Sequence, residues 1–188
     1  LETDGEPAKN EATYDDLFSI PEHHIGQIVR GVLYSHTRPN LHARPASTLL
    51  RDIGSPFDRA GDGPGGWLTL FAPELHFQRD VLVPDLAGWR RDRMPEMPDV
   101  PYFTLAPDWI CEVLSPSTAK LDRVKKLPVY AHEGVKHAWL VDPSAKTLEV
   151  FELRGDVYAL VQAASEAETG RYVPFDAIEL ELAAMWSR

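Results

Sequence analysis

Apolar and polar positions alternate along this chain in ways that separate strands from helices. Residues 1–12 (LETDGEPAKNEA) are polar and charged without periodicity, which predicts a disordered or loosely docked tail. Thr13 can cap a short helix reaching about residue 20, with Tyr14, Leu17 and Phe18 at helical spacing and Pro21 ending it. Residues 26–34 (GQIVRGVLY) read as a strand interrupted by Gly31, and residues 41–53 as a helix that tolerates Pro45 only in its first turn. The run 58–66 (DRAGDGPGG) is a turn-rich loop. Strand patterns follow at 67–71 and at the pair 75–77 and 81–83, separated by Gln78, Arg79 and Asp80.

Residues 90–108 carry Pro95, Pro98, Pro101 and Pro107, so they predict a long irregular connection. Residues 109–114 (WICEVL) form a continuous apolar strand around one glutamate, and residues 121–133 a helix with Gly134 just past its end. Pro128 inside that helix removes the bond to the Val124 carbonyl and predicts a kink. Strands at 137–141, 147–153 and 157–161 follow, with Pro143 and Gly155 at the turns, and residues 177–186 predict a closing helix. Strand, long connection, strand, helix, strand and hairpins add up to a mixed sheet covered by helices, an α/β fold.

A length of 188 residues predicts one domain over residues 13–188 behind the tail, large enough to hold a core without disulfides or structural metal. Sixteen prolines, against about 9 expected at about 5%, argue against an all-helical bundle. The lone Cys111 excludes an internal disulfide and a multi-cysteine zinc site. No apolar run approaches the roughly 20 residues that span a bilayer, and no signal-peptide pattern opens the chain, so a cytoplasmic protein without membrane contact is expected. The net charge of −10 argues against a passive nucleic-acid binder. It leaves room for an enzyme that meets a polyanion through a metal and a local basic strip.

Three features could carry chemistry. Glu112 sits among apolar neighbours, and withdrawing a carboxylate from water costs several kcal/mol unless it is paired, protonated or metal-bound. A buried ion pair or a solvated strand end would also account for it. Asp85 follows the apolar run 81–84 and is placed at the end of a neighbouring strand, where period two puts Val81, Val83 and Asp85 on one face and Ile110, Glu112 and Leu114 on one face of the other. The two carboxylates can then converge on one hard cation, although Pro-Asp is also ordinary turn chemistry. The third feature is the basic run Lys120–Lys126, in which Asp122, Lys126 and Tyr130 share a stripe, a pattern equally suited to an exposed ion pair. The histidines His23, His24, His36, His42 and His76 show no H-E-x-x-H spacing, Gly63–Gly66 lacks the Lys-Ser/Thr of a P-loop, and Ser115 and Ser117 lack a G-x-S-x-G context.

The segments PDLAGW (84–89), DWICEVLSPST (108–118), DRVKKLPVYAHEGVKHAWLVDP (122–143) and TLEVFEL (147–153) together resemble the Uma-two family of restriction endonucleases, within the PD-(D/E)XK nuclease superfamily. The resemblance covers roughly residues 13–186 and implies a restriction-endonuclease-like fold, a mixed central β-sheet flanked by helices. It implies Asp85 and Glu112 as metal ligands and Lys126 as the catalytic lysine, since Leu114 stands where the superfamily places one. Val113, through its carbonyl, and Tyr130 would support the site. Where the family has a glutamate and an aspartate in E-L/I-x-D-G-E-L, this chain has Gln27 and Arg30, so Gln27 could position a metal-bound water but add no charge. The expectation is a Mg²⁺- or Mn²⁺-dependent endodeoxyribonuclease, a hydrolase using one divalent ion or two, with DNA as substrate and a homo-oligomeric state such as a homodimer. The other reading is a catalytically inactive nuclease-fold module, a dimeric binding or structural protein.

Overall fold

The computed structural model describes residues 6–37, 40–58 and 63–187. Its strands in chain order are β1 (Pro7–Asn10), β2 (His24–Val29), β3 (Val32–Thr37), β4 (Trp67–Phe71), β5 (Leu75–Phe77) and β6 (Asp80–Leu82). They continue with β7 (Leu86–Arg90), β8 (Trp109–Val113), β9 (His137–Asp142), β10 (Thr147–Arg154), β11 (Val157–Ser165), β12 (Thr169–Gly170) and β13 (Leu180–Glu181). The helices are α1 (Tyr14–Leu17), α2 (Asn40–Phe57), α3 (Ala119–Leu121), α4 (Leu127–His132) and α5 (Ala183–Trp186), and a π-turn over Asp122–Lys126 joins α3 to α4.

The central sheet has the order β11-β10-β9-β8-β7-β4. Only β8 and β9 run parallel, and the helical segment 119–132 is the crossover that parallel pairing requires. Residues of β8 alternate between two cores. Trp109, Cys111 and Val113 pack with Ala46, Leu49 and Ile53 of α2, whose i, i+3, i+7 spacing lays one apolar face on the sheet. Ile110 packs on the other side with Leu121, Val129 and Tyr130 of the crossover. The mixed sheet flanked by helices is the fold class expected. A second, antiparallel sheet in the order β1-β3-β2-β6-β5 lies beside it. No helix among the described residues is long and apolar enough to cross a membrane.

Several elements differ from the sequence reading. The expected strand over 26–34 is a hairpin, because Arg30 and Gly31 both take positive φ (53° and 73°) and turn β2 back into β3. Helix α2 runs past residue 53 to Phe57 with Pro45 in its second turn. The closing helix shrinks to α5, preceded by β13. Within the expected tail, Pro7–Asn10 pair with β3. Residues 1–5 of that tail and 59–62 of the glycine-rich loop lie outside the described residues. Strand β7 was not expected at all, since Leu-Ala-Gly-Trp-Arg is weak strand sequence around Gly88.

Gly88 is there for packing. A Cβ on it would meet Trp109 Cε3 and Trp67 Cε3 at 3.2 Å. Gly88→Val is therefore expected to destabilise the protein by about 1–3 kcal/mol, the range of overpacking in a filled core. Urea unfolding measures this, and an unchanged midpoint would mean that the two indoles can part freely.

Candidate active site

Glu112 lies on β8, in the middle of the central sheet, and is 2% exposed. The β7–β8 register pairs Leu86 with Cys111 and Ala87 with Ile110, so one further step brings Asp85 opposite Glu112. The Val113 N–H donates to Asp85 Oδ2 at 2.8 Å, which holds that carboxylate beside β8. Asp85 thus leads into β7. It does not end the strand over 81–83, which belongs to the second sheet through β6 and its pairing with β5.

The crossover supplies the opposing side chains. Its start is fixed by Ser115 and Thr118, each side chain accepting from the other's backbone N–H at 3.0–3.3 Å. Pro128 has no N–H to give the Val124 carbonyl, and just ahead of it the Leu127 N–H bonds to the Asp122 carbonyl, five residues back. The kink expected at Pro128 takes the form of this π-turn. Asp122, Lys126 and Tyr130 are all buried. Lys126 Nζ stands 2.7 Å from Glu112 Oε1 and 3.2 Å from Asp122 Oδ1, and the Tyr130 hydroxyl donates to the same Glu112 Oε1 at 2.7 Å. Lys125 is exposed.

Asp85, Glu112, Asp122, Lys126, Thr118 and His36 line a cavity of about 10 Å³, on the scale of a single water or ion. Two of these carboxyls, on Glu112 and Asp122, meet the Lys126 ammonium directly. Burial pushes the Glu112 carboxyl up to about 8; Lys126 pulls it down, while Asp122 and Asp85 push it further up. Lys126 reaches Glu112, yet burial wins over its attraction. The ammonium itself is depressed by burial, but Glu112, Asp122 and Asp85 together outweigh that and hold its pKa above the ordinary value. Burial thus sets the direction of the Glu112 shift, and the neighbouring carboxyls set that of Lys126.

This gives a stability profile with a definite sign. Glu112 binds its proton more tightly in the folded chain than in the unfolded one. Its contribution is complete below the ordinary value of 4.5 and is lost as pH rises through about 8. Metal-free Glu112→Gln is expected to escape this loss and to exceed the native chain by a few kcal/mol near about pH 9, with a smaller gap near about pH 5. Urea midpoints across that range decide it, and parallel profiles would mean a hydrated Glu112.

Gln27 is buried on β2 but does not line the cavity. Its Oε1 accepts from the Val83 N–H at 2.8 Å and its Nε2 meets His36 Nε2 at 3.1 Å. The role expected for it, positioning a metal-bound water, does not match this placement, because both ends of the amide are engaged elsewhere. Arg30 sits at the hairpin turn, where its backbone N–H donates to Asp80, away from the cavity. Sequence reasoning left three polar cavity residues without a role. The Asp122–Lys126–Tyr130 stripe was the signal for Asp122, whereas Thr118 and His36 gave none. Burial lowers the pKa of His36.

The family model Uma2, described as "Putative restriction endonuclease", matches residues 13–184. A solved structure from Anabaena variabilis, described as a "putative nuclease belonging to DUF820", is similar with a TM-score of 0.76 at 20% identity, covering 93% of this chain and 97% of that one. At that identity the likeness speaks for the fold. None of the curated proteins compared with the chain matches it. With the family model extending from the α1 cap to the closing helix and over every residue of the buried carboxylate–lysine cluster, the chain belongs to the Uma2 family of restriction-endonuclease-like nucleases.

Proposed function

We propose that the chain is a Mg²⁺- or Mn²⁺-dependent endodeoxyribonuclease that hydrolyses DNA phosphodiester bonds. The observation that carries this reading is the convergence of Asp85, Glu112, Asp122 and Lys126 on a buried cavity the size of one ion. Hard cations prefer such oxygen donors, and Mg²⁺ is usually held by one or two carboxylates plus substrate oxygens, not by an all-protein cage. Asp85 and Glu112, with the Val113 carbonyl, are the ligands. A bound ion supplies charge neutralisation at the phosphate and a lowered pKa for the attacking water.

The side chains around it have separable tasks. Lys126 and Tyr130 both occupy Glu112 Oε1, and no described residue donates to Oε2, which is the oxygen left for the ion. The Lys126 ammonium, fixed by two buried carboxylates, stabilises charge developing on the phosphate or orients the water. Asp122 keeps Lys126 in place.

One observation favours the other reading, an inactive nuclease-fold module: Gln27 stands where the family resemblance has a glutamate, with its amide committed to Val83 and His36. Incubation of supercoiled, linear and single-stranded DNA with Mg²⁺ or Mn²⁺ separates the two. Cleavage that stops with chelator and is missing in Glu112→Ala supports the nuclease, while intact DNA throughout supports the module.

A further inference from the structure

The hairpin formed by β2 and β3 presents Ile25, Gln27, Tyr34 and His36 on one face, since the register sets Ile25 against His36 and Gln27 against Tyr34. Ile25 and His36 line the ion-sized cavity, and Gln27 lies just behind them. The hydrogen bonds there allow one arrangement of protons. The Val83 N–H can only donate, so the Gln27 atom facing it is the oxygen. The other end of the amide is then NH₂, and it donates to His36 Nε2, which must carry no proton. From the opposite side, the Thr37 carbonyl can only accept, so His36 Nδ1, at 3.1 Å, must carry the proton. Two independent partners specify the same neutral imidazole with hydrogen on Nδ1.

We infer that Gln27 and His36 form an uncharged strut that positions Asp85. The strut runs from Thr37 through His36 and Gln27 to Val83. Val83 is followed by Pro84, whose ring fixes φ, and then by Asp85. Holding the Val83 N–H therefore sets the direction in which Asp85 enters β7 and meets the Val113 N–H. Gln27 acts through Val83 and is a positioning residue. The acid that the family resemblance places at this position is replaced here by a neutral pair that braces the remaining carboxylates. The inference rests on the reading of Asp85 as an ion ligand.

The test uses the full chain and Mn²⁺. Titration of Mn²⁺ into the native protein, Gln27→Met and Gln27→Glu gives ion affinities, and ¹⁵N-histidine NMR of the native protein gives the His36 tautomer. Gln27→Met keeps the volume and loses both bonds, so its dissociation constant for Mn²⁺ is expected to rise about tenfold. Gln27→Glu keeps an acceptor for Val83 and is expected to bind at least as tightly as the native chain. His36 is expected to show a protonated Nδ1 and a bare Nε2. A purely structural Gln27 would lower the unfolding midpoint and leave the affinity of the folded fraction unchanged. Native-like Mn²⁺ binding in Gln27→Met, or a proton on Nε2 of His36, overturns the strut and leaves the nuclease reading standing. Failure of the native chain to bind Mn²⁺ overturns both.

Discussion

Lys126→Met is expected to lower the stability of the metal-free protein by about 3–5 kcal/mol and to abolish metal-dependent cleavage. The lysine is 1% exposed, and its ammonium lies between Glu112 Oε1 and Asp122 Oδ1. Methionine fills nearly the same space, so the loss is electrostatic. Glu112 and Asp122 would then lose the buried ammonium that both of them meet. Glu112 can take up a proton in place of the lost attraction, so the destabilisation should shrink as pH falls below about 8. Lys125→Met is the control. That residue is exposed, and its removal is expected to change stability by no more than about 0.5 kcal/mol and to leave cleavage largely intact. Urea unfolding and cleavage, measured on both variants, check the pair. Equal losses in the two would show that the buried lysine has no special part.

Glu112→Ala is expected to cost about 10³-fold or more in cleavage, the scale seen when a principal electrostatic group of an active site is removed. The same variant should lose the stabilisation that Mn²⁺ gives the native chain, about 2.7 kcal/mol at an ion concentration 100 times its dissociation constant. Its metal-free stability should behave differently from that of Lys126→Met. Removing Glu112 ends the cost of burying its carboxyl, which offsets part of the packing and of the Lys126 attraction lost with the side chain. The two variants would be alike in activity and unlike in stability. Melting curves with and without Mn²⁺ supply that comparison. Retained Mn²⁺ stabilisation in Glu112→Ala would remove Glu112 from the ion site.

How far the site could be read from the chain depended on how anomalous each residue looked. Glu112 stood out because a carboxylate inside W-I-C-E-V contradicts its neighbours, and β8 is indeed covered on both faces. Asp85 was noticed for its place after an apolar run and given the wrong strand. Its partner strand β7 contains Gly88, and only the packing of Trp67 and Trp109 explains why a glycine belongs there. The hairpin β2–β3 was hidden for a related reason. Nothing local marks Arg30 as left-handed, so Gly31 looked like an interruption and not like half of a turn. His36 could not be recognised at all, because its meaning lies in Gln27, nine residues away, and in Val83, from another hairpin. Contacts set by helical period, such as Asp122 with Lys126, were legible; those set by strand register were not.

The tryptophans on the far side of β8 have a use of their own. Trp67, Trp109 and Trp139, three of the five indoles in the chain, surround Phe175 with ring centroids 4.8–5.7 Å away, in the core beneath α2. They are buried on the face of the sheet opposite Glu112. Their fluorescence is therefore blue-shifted while the core is intact and moves to the red when it opens. The molecule carries, in these three indoles, an intrinsic optical gauge of the state of its core.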